Sequence, residues 1–125
     1  YYSVNADSNG DTIIGNHIFD YNAFVTISDG QYFKISDAIA VPVSLIDGIT
    51  YQIDTSKSGM FRIGIDLPAG EYCLNSLPDD SGYYCIYGNS LPDADIVANH
   101  IFEGQSYVTV TDGQYLVLSD CMIVQ

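Results

Sequence analysis

The stretch VTVTDGQYLVLSD, residues 108–120, reads as two alternating runs joined by Asp-Gly, and VTISDGQYFKISD, residues 25–37, repeats it. How the turn is built decides which side chains share a face. A two-residue turn would pair Val25 with Lys34 and put Lys34 beside Ile27 and Tyr32. A three-residue loop with Gly30 left-handed pairs Val25 with Phe33 and Ile27 with Gln31. That register collects Val25, Ile27, Phe33 and Ile35 on one face, with Thr26, Tyr32 and Lys34 on the other. The second copy agrees, placing Val108, Val110, Leu116 and Leu118 inward and Thr109, Tyr115 and Val117 outward. Because one register slip turns every side chain over, the cleaner partition is preferred, and a bulged antiparallel hairpin is expected in each copy.

The twin stretches belong to a longer duplication. Shifting the chain by 83 positions aligns residues 13–41 with 96–124, and 14 of the 29 positions are identical. Shifting by 82 aligns YYSV at residues 1–4 with YYCI at 83–86. Residues 60–82 lead into the second copy and have no counterpart before the first. The expected organisation is therefore a first repeat over 1–43 lacking its front, a linker over 44–59 with a candidate strand at ITYQI, and a second repeat over 60–125. The vacant edge of the first repeat requires a cover: the linker strand near Tyr51, sequence preceding Tyr1, or another copy of the chain in a homo-oligomer.

Composition sets the class. The 125 residues include 11 Tyr, 5 Phe and no Trp, and β-branched residues are common. Such side chains suit pleated, half-buried surfaces, so the chain is expected to be all-β, a tandem of β-sandwiches or partly open barrels made of antiparallel hairpins. Sixteen acidic residues against three basic ones give a net charge of −13, which repels nucleic acid and anionic membrane surfaces. No apolar run is long enough to span a membrane.

Three cysteines, Cys73, Cys85 and Cys121, show no zinc or thioredoxin spacing. In GEYCLNSLPDDSGYYCIYG, two alternating runs flank the turn formers LPDDSG, so a second hairpin is expected with Cys73 opposite Cys85. A disulfide between Cys73 and Cys85 is one reading of that geometry. Packed thiols are the preferred one.

GIDLPAGEY, followed by a Gly-Tyr-Tyr strand, an NxxF turn and a DGQYL hairpin, resembles β-rich modules repeated in secreted proteins and lipoproteins of Gram-positive bacteria. The resemblance covers most of the chain. It implies an extracellular or surface-anchored location and a first repeat missing its front half, and it carries no assigned functional residues.

The candidate chemistry is sparse. Asp7, Asn9 and Asp11 in DSNGD match the first three ligand positions of a calcium loop. Thr12 and Ile18 then stand where Gly and Glu are required, so an Asp-rich turn is the plainer reading. His17 and His100 occupy equivalent places in NHIF. A nucleophilic pair of His100 with Cys121 or Cys85 finds no counterpart at His17, which favours a packing role. No cofactor motif is present. Tyr32 and Tyr115 are expected on the outward face, with Tyr84 and Tyr107 on neighbouring strands, and exposed rings of this kind can bind partners or sugars. The expected function is a non-catalytic structural or adhesive module contacting protein or glycan at the cell surface. The alternatives are a carbohydrate-binding module using the Tyr residues and, behind it, a hydrolase centred on His.

Overall fold

The structure is a computed structural model and describes residues 1–46 and 54–124; the candidate strand ITYQI and Tyr51 lie outside them. The described chain is all-β, in three antiparallel sheets, none closed into a barrel. The first repeat contributes β1 (Tyr2–Asn5), β2 (Ile13–His17) and β3 (Tyr32–Ile35), in the order β2-β1-β3. One helical turn, α1 (Val43–Ile46), follows. The second repeat contributes β4 (Met60–Arg62), β5 (Gly70–Ser76), β6 (Gly82–Tyr87), β7 (Ile96–Phe102), β8 (Gln105–Val110), β9 (Tyr115–Ser119) and β10 (Cys121–Ile123). These form sheets β10-β5-β8 and β4-β9-β6-β7.

Those two sheets stack as a sandwich. Leu74, Val108, Val110 and Ile123 meet Phe61, Ile86, Leu116 and Leu118 in one buried cluster, which includes Leu74 and Leu116 at 0% exposure. Alternation explains the arrangement: each strand sends every second side chain into the layer between the sheets.

The duplication is preserved in the pairing. β2-β1-β3 corresponds to β7-β6-β9, and Tyr2 faces His17 and Ile35 as Tyr84 faces His100 and Leu118. Even the irregularity recurs, between Val4 and Asn5 in one copy and between Ile86 and Tyr87 in the other.

Neither expected hairpin forms. β8 pairs with β5 and β9 pairs with β6 and β4, so the DGQ turn carries the chain from one layer of the sandwich to the other. The turn itself is as expected: Gly30 and Gly113 have φ of 84° and 88°, and the amides of Gln31 and Gln114 donate to the carbonyls of Ser28 and Thr111 at 3.2 Å. The Gln31 and Gln114 side chains close it by accepting the Ser28 and Thr111 amides at 2.8 and 2.9 Å. The inward set Val108, Val110, Leu116 and Leu118 of the second copy is buried throughout, but its first-copy counterpart is not: Ile27, Phe33 and Ile35 are each 38% exposed, because among the described residues no second sheet covers that face. Alternation specifies a face, and two inner faces can lie side by side in one sheet or opposite each other across a core.

The β5–β6 connection fails in the same way. Cys73 pairs with Tyr107 on the outer face of one sheet, and Cys85 pairs with Asn99 and Val117 on the outer face of the other. The two thiols point away from opposite sides of the sandwich, and all three cysteines are free. The Cys73–Cys85 bridge is thus excluded by topology.

In the first repeat the segment matching β8, residues 22–27, is not a strand. Its counterpart in the second repeat pairs with β5, for which the first repeat has no equivalent among the described residues. The freed segment instead docks on the second repeat. Asn22 clamps the Met60 backbone, donating to its carbonyl at 3.0 Å and accepting its amide at 2.9 Å, which caps the outer edge of β4. Phe24 enters a second cluster with Met60, Cys85 and Val117, so Val117, expected outward, is covered. The Thr26 amide donates to the Ser90 carbonyl at 2.7 Å.

Candidate functional site

Three places gather the residues with chemical potential: two aromatic ladders, the seam between the repeats, and a groove at one end of the sandwich. The ladders grow directly from YYxV/I and NHIF. In antiparallel register, Tyr2 stands beside His17, and Tyr84 beside His100. Their ring centroids lie 6.1 and 6.0 Å apart, and each imidazole then stacks on a phenylalanine, Phe19 at 6.1 Å and Phe102 at 6.2 Å. On the opposite face of the same strands, Asn16 donates to the Tyr1 hydroxyl at 3.4 Å and Asn99 to the Tyr83 hydroxyl at 3.3 Å. One motif therefore makes the same packing unit twice. Burial holds the His17 pKa below the ordinary histidine value, with the Tyr1 ammonium acting in the same direction and Asp20 opposing.

His100 has no thiol partner. Cys85 projects to the other face of its sheet, and the Cys121 thiol donates to the Tyr83 carbonyl at 3.5 Å. Burial raises the Cys121 pKa, which favours the un-ionised and unreactive form.

At the seam, a cavity of about 60 Å³ is lined by Tyr2 and His17 from the first repeat and by Met60, Tyr87, Pro92 and Val117 from the second. It has room for water molecules and is far below the ~300 Å³ lower bound of small-molecule pockets. Burial raises the pKa of Tyr87 well above the phenol range, reinforced by a hydrogen bond with the Cys85 thiol. Arg62 closes the seam. Its guanidinium makes a two-pronged ion pair with Asp66, each bond 3.0 Å, and lies 4.6 Å from the centre of the Phe24 ring. This tie between the repeats was not legible in the sequence, because Arg62, Asp66 and Phe24 share no motif.

The groove holds about 430 Å³ where the β5–β6 loop meets the β7–β8 turn. Asp79, Asp80 and Glu103 rim it and Leu77, Pro78 and Met122 line its apolar part. Ser76 and Gly104 tie its two sides together, with the Ser76 amide donating to the Gly104 carbonyl at 2.8 Å and the Gly104 amide to Ser76 Oγ at 2.9 Å. Neither His lines it.

The four expected tyrosines are distributed over three sheets. Tyr32, on β3, is 50% exposed and Tyr107, on β8, is 62% exposed. Tyr84 turns toward the sandwich core, and Tyr115 packs half-buried with the cluster that receives Phe24, on the opposite face of the same sheet. They form no common platform. Asp7 accepts the Asp11 amide at 3.0 Å through its carboxylate, which makes DSNGD a self-closed turn. Among the described residues no three His, Cys, Asp or Glu side chains converge as metal ligands would, and no helix is long and apolar enough to cross a membrane.

Comparison with protein-family models, curated proteins and solved structures finds no match to this chain.

Proposed function

We propose that this chain is a non-catalytic structural or adhesive module of a secreted or surface-anchored bacterial protein. The observation that carries the reading is the duplicated ladder, Tyr2–His17–Phe19 and Tyr84–His100–Phe102. Both histidines, the residues best suited to acid–base chemistry at neutral pH, make equivalent ring contacts in a repeating unit. A catalytic residue would be expected to stand apart from its structural twin. The docking of the first repeat against the second by Asn22, Phe24 and Thr26 supports a stiff spacer or display surface, and the extracellular address rests on the resemblance of GIDLPAGEY and the DGQY segments to modules of Gram-positive surface proteins.

The test is a panel of ester, glycoside and peptide substrates run beside binding assays against purified cell-wall glycans and extracellular matrix proteins. The expected result is no turnover and saturable binding to at least one surface component. Turnover lost in His100→Ala would overturn the reading.

A further inference from the structure

Among the described residues, β7 is a sheet edge whose one strand partner is β6. Six of its seven residues are exposed, and Ile96, Val97 and Ile101 are 50%, 57% and 68% accessible. The strand IVANHIF carries no charge, yet Asp95 immediately precedes it and Glu103 immediately follows. The other edges differ. β4 is buried and clamped by Asn22, β10 has three residues, two of them buried, β3 carries Lys34, and β8 sinks Val108 and Val110 into the core. β2, the counterpart of β7, has its face at Gly15 covered by the Pro92 carbonyl.

An open edge with unpaired amides and carbonyls accepts another strand through main-chain hydrogen bonds. The charges decide which strand. A second copy of the chain, paired antiparallel about Asn99, would set Asp95 against the Glu103 of its partner and bring together two molecules of net charge −13. Like charges placed opposite one another in a sheet are destabilising, and the net repulsion adds to this. The same flanking carboxylates complement a strand with basic ends.

We propose that the free edge of β7 is a β-augmentation site for an extended segment of a basic protein partner. That segment has alternating apolar residues in its middle and Lys or Arg at its ends, facing Asp95 and Glu103. The register shift near Val97 leaves Ala98–Phe102 as the regular pairing stretch, with Ile101 as the apolar contact. This inference rests on the reading of the chain as a binding module and names the chemistry of its partner.

The experiment uses the whole chain with two short synthetic peptides of alternating valine and threonine, one capped by arginine at both ends and one by glutamate. Binding is followed by fluorescence anisotropy and by amide shifts in two-dimensional NMR. The arginine-capped peptide is expected to bind about tenfold more tightly or better. Its shifts should be confined to β7 and its immediate neighbours. Asp95→Lys/Glu103→Lys should reverse the preference, and Ile101→Glu should abolish binding with an unchanged circular dichroism spectrum. Equal affinity for both peptides, shifts centred on β3 or β8, or a concentration-dependent dimer through β7 would each overturn the proposal. Failure of both peptides to bind folded protein would also overturn it, while leaving the module reading to be decided by the substrate and surface-component panels.

Discussion

Gly15 packs directly on the carbonyl of Pro92, so that a Cβ at position 15 would collide with the backbone of the second repeat. Gly15 pairs with Val4, which is fully buried, and their counterparts Ala98 and Ile86 pair in the second repeat. The face that β5 and β8 cover in the second repeat is thus met in the first by the loop after β6. Gly15→Ala is expected to destabilise the fold by about 1–3 kcal/mol through overpacking, and Ala98→Gly by only about 0.5–1 kcal/mol through backbone entropy. Urea denaturation of the two variants compares them; equal losses would show that the seam does not need the glycine.

Arg62 and Asp66 are both nearly inaccessible, with side chains 6% and 4% exposed. Removing one member of such a pair strands the other, so Asp66→Asn should cost about 3–5 kcal/mol. Phe24→Leu removes the ring beneath the guanidinium while keeping apolar volume, and should cost about 1–2 kcal/mol. Chemical denaturation reads both. A loss below that of Phe24→Leu in Asp66→Asn would show that the ion pair is dispensable.

Acid should loosen the first repeat through His17. Burial holds its folded pKa below the ordinary histidine value, so the unfolded chain takes up the proton first. The contribution to stability is fully present above the unfolded pKa and is lost as pH falls toward the folded one. Midpoints of unfolding should decline on acidification from neutrality to below about pH 6, and His17→Phe should flatten that decline. An identical slope in the variant would place the acid sensitivity elsewhere.

The thiols should react unequally. Cys85 is 1% exposed and Cys121 is 0% exposed, whereas Cys73 is half-buried beside Tyr107, whose pKa is raised first by a hydrogen bond with that thiol. Alkylation of the native protein should modify Cys73 first, and denaturation without reductant should release all three. Mass spectrometry counts the labels. A Cys73–Cys85 crosslink in freshly prepared protein would contradict the topology described above.

The all-β class, the self-similarity of residues 13–41 and 96–124, and the core-facing set beside the second DGQ turn could be read from the sequence, whereas the matching inward set of the first repeat came out exposed, with Ile27, Phe33 and Ile35 each at 38%. The composition of the sequence disfavoured helix, its self-similarity matched β2-β1-β3 to β7-β6-β9, and its period of two put Val108, Val110, Leu116 and Leu118 in the core. It also foresaw the left-handed Gly30 and Gly113, because only that conformation closes the DGQ turn in the bulged register. The tertiary structure alone decided which strands are neighbours. The hairpins expected at the second DGQ turn and at LPDDSG became crossings between layers, since alternation is satisfied equally by strands that lie side by side and by strands that face each other across a core. It alone decided the seam as well: Gly15, Phe24, Arg62 and Pro92 are distant in sequence, and their contacts arise only when the segment that matches β8, lacking a β5 of its own, folds against the second repeat.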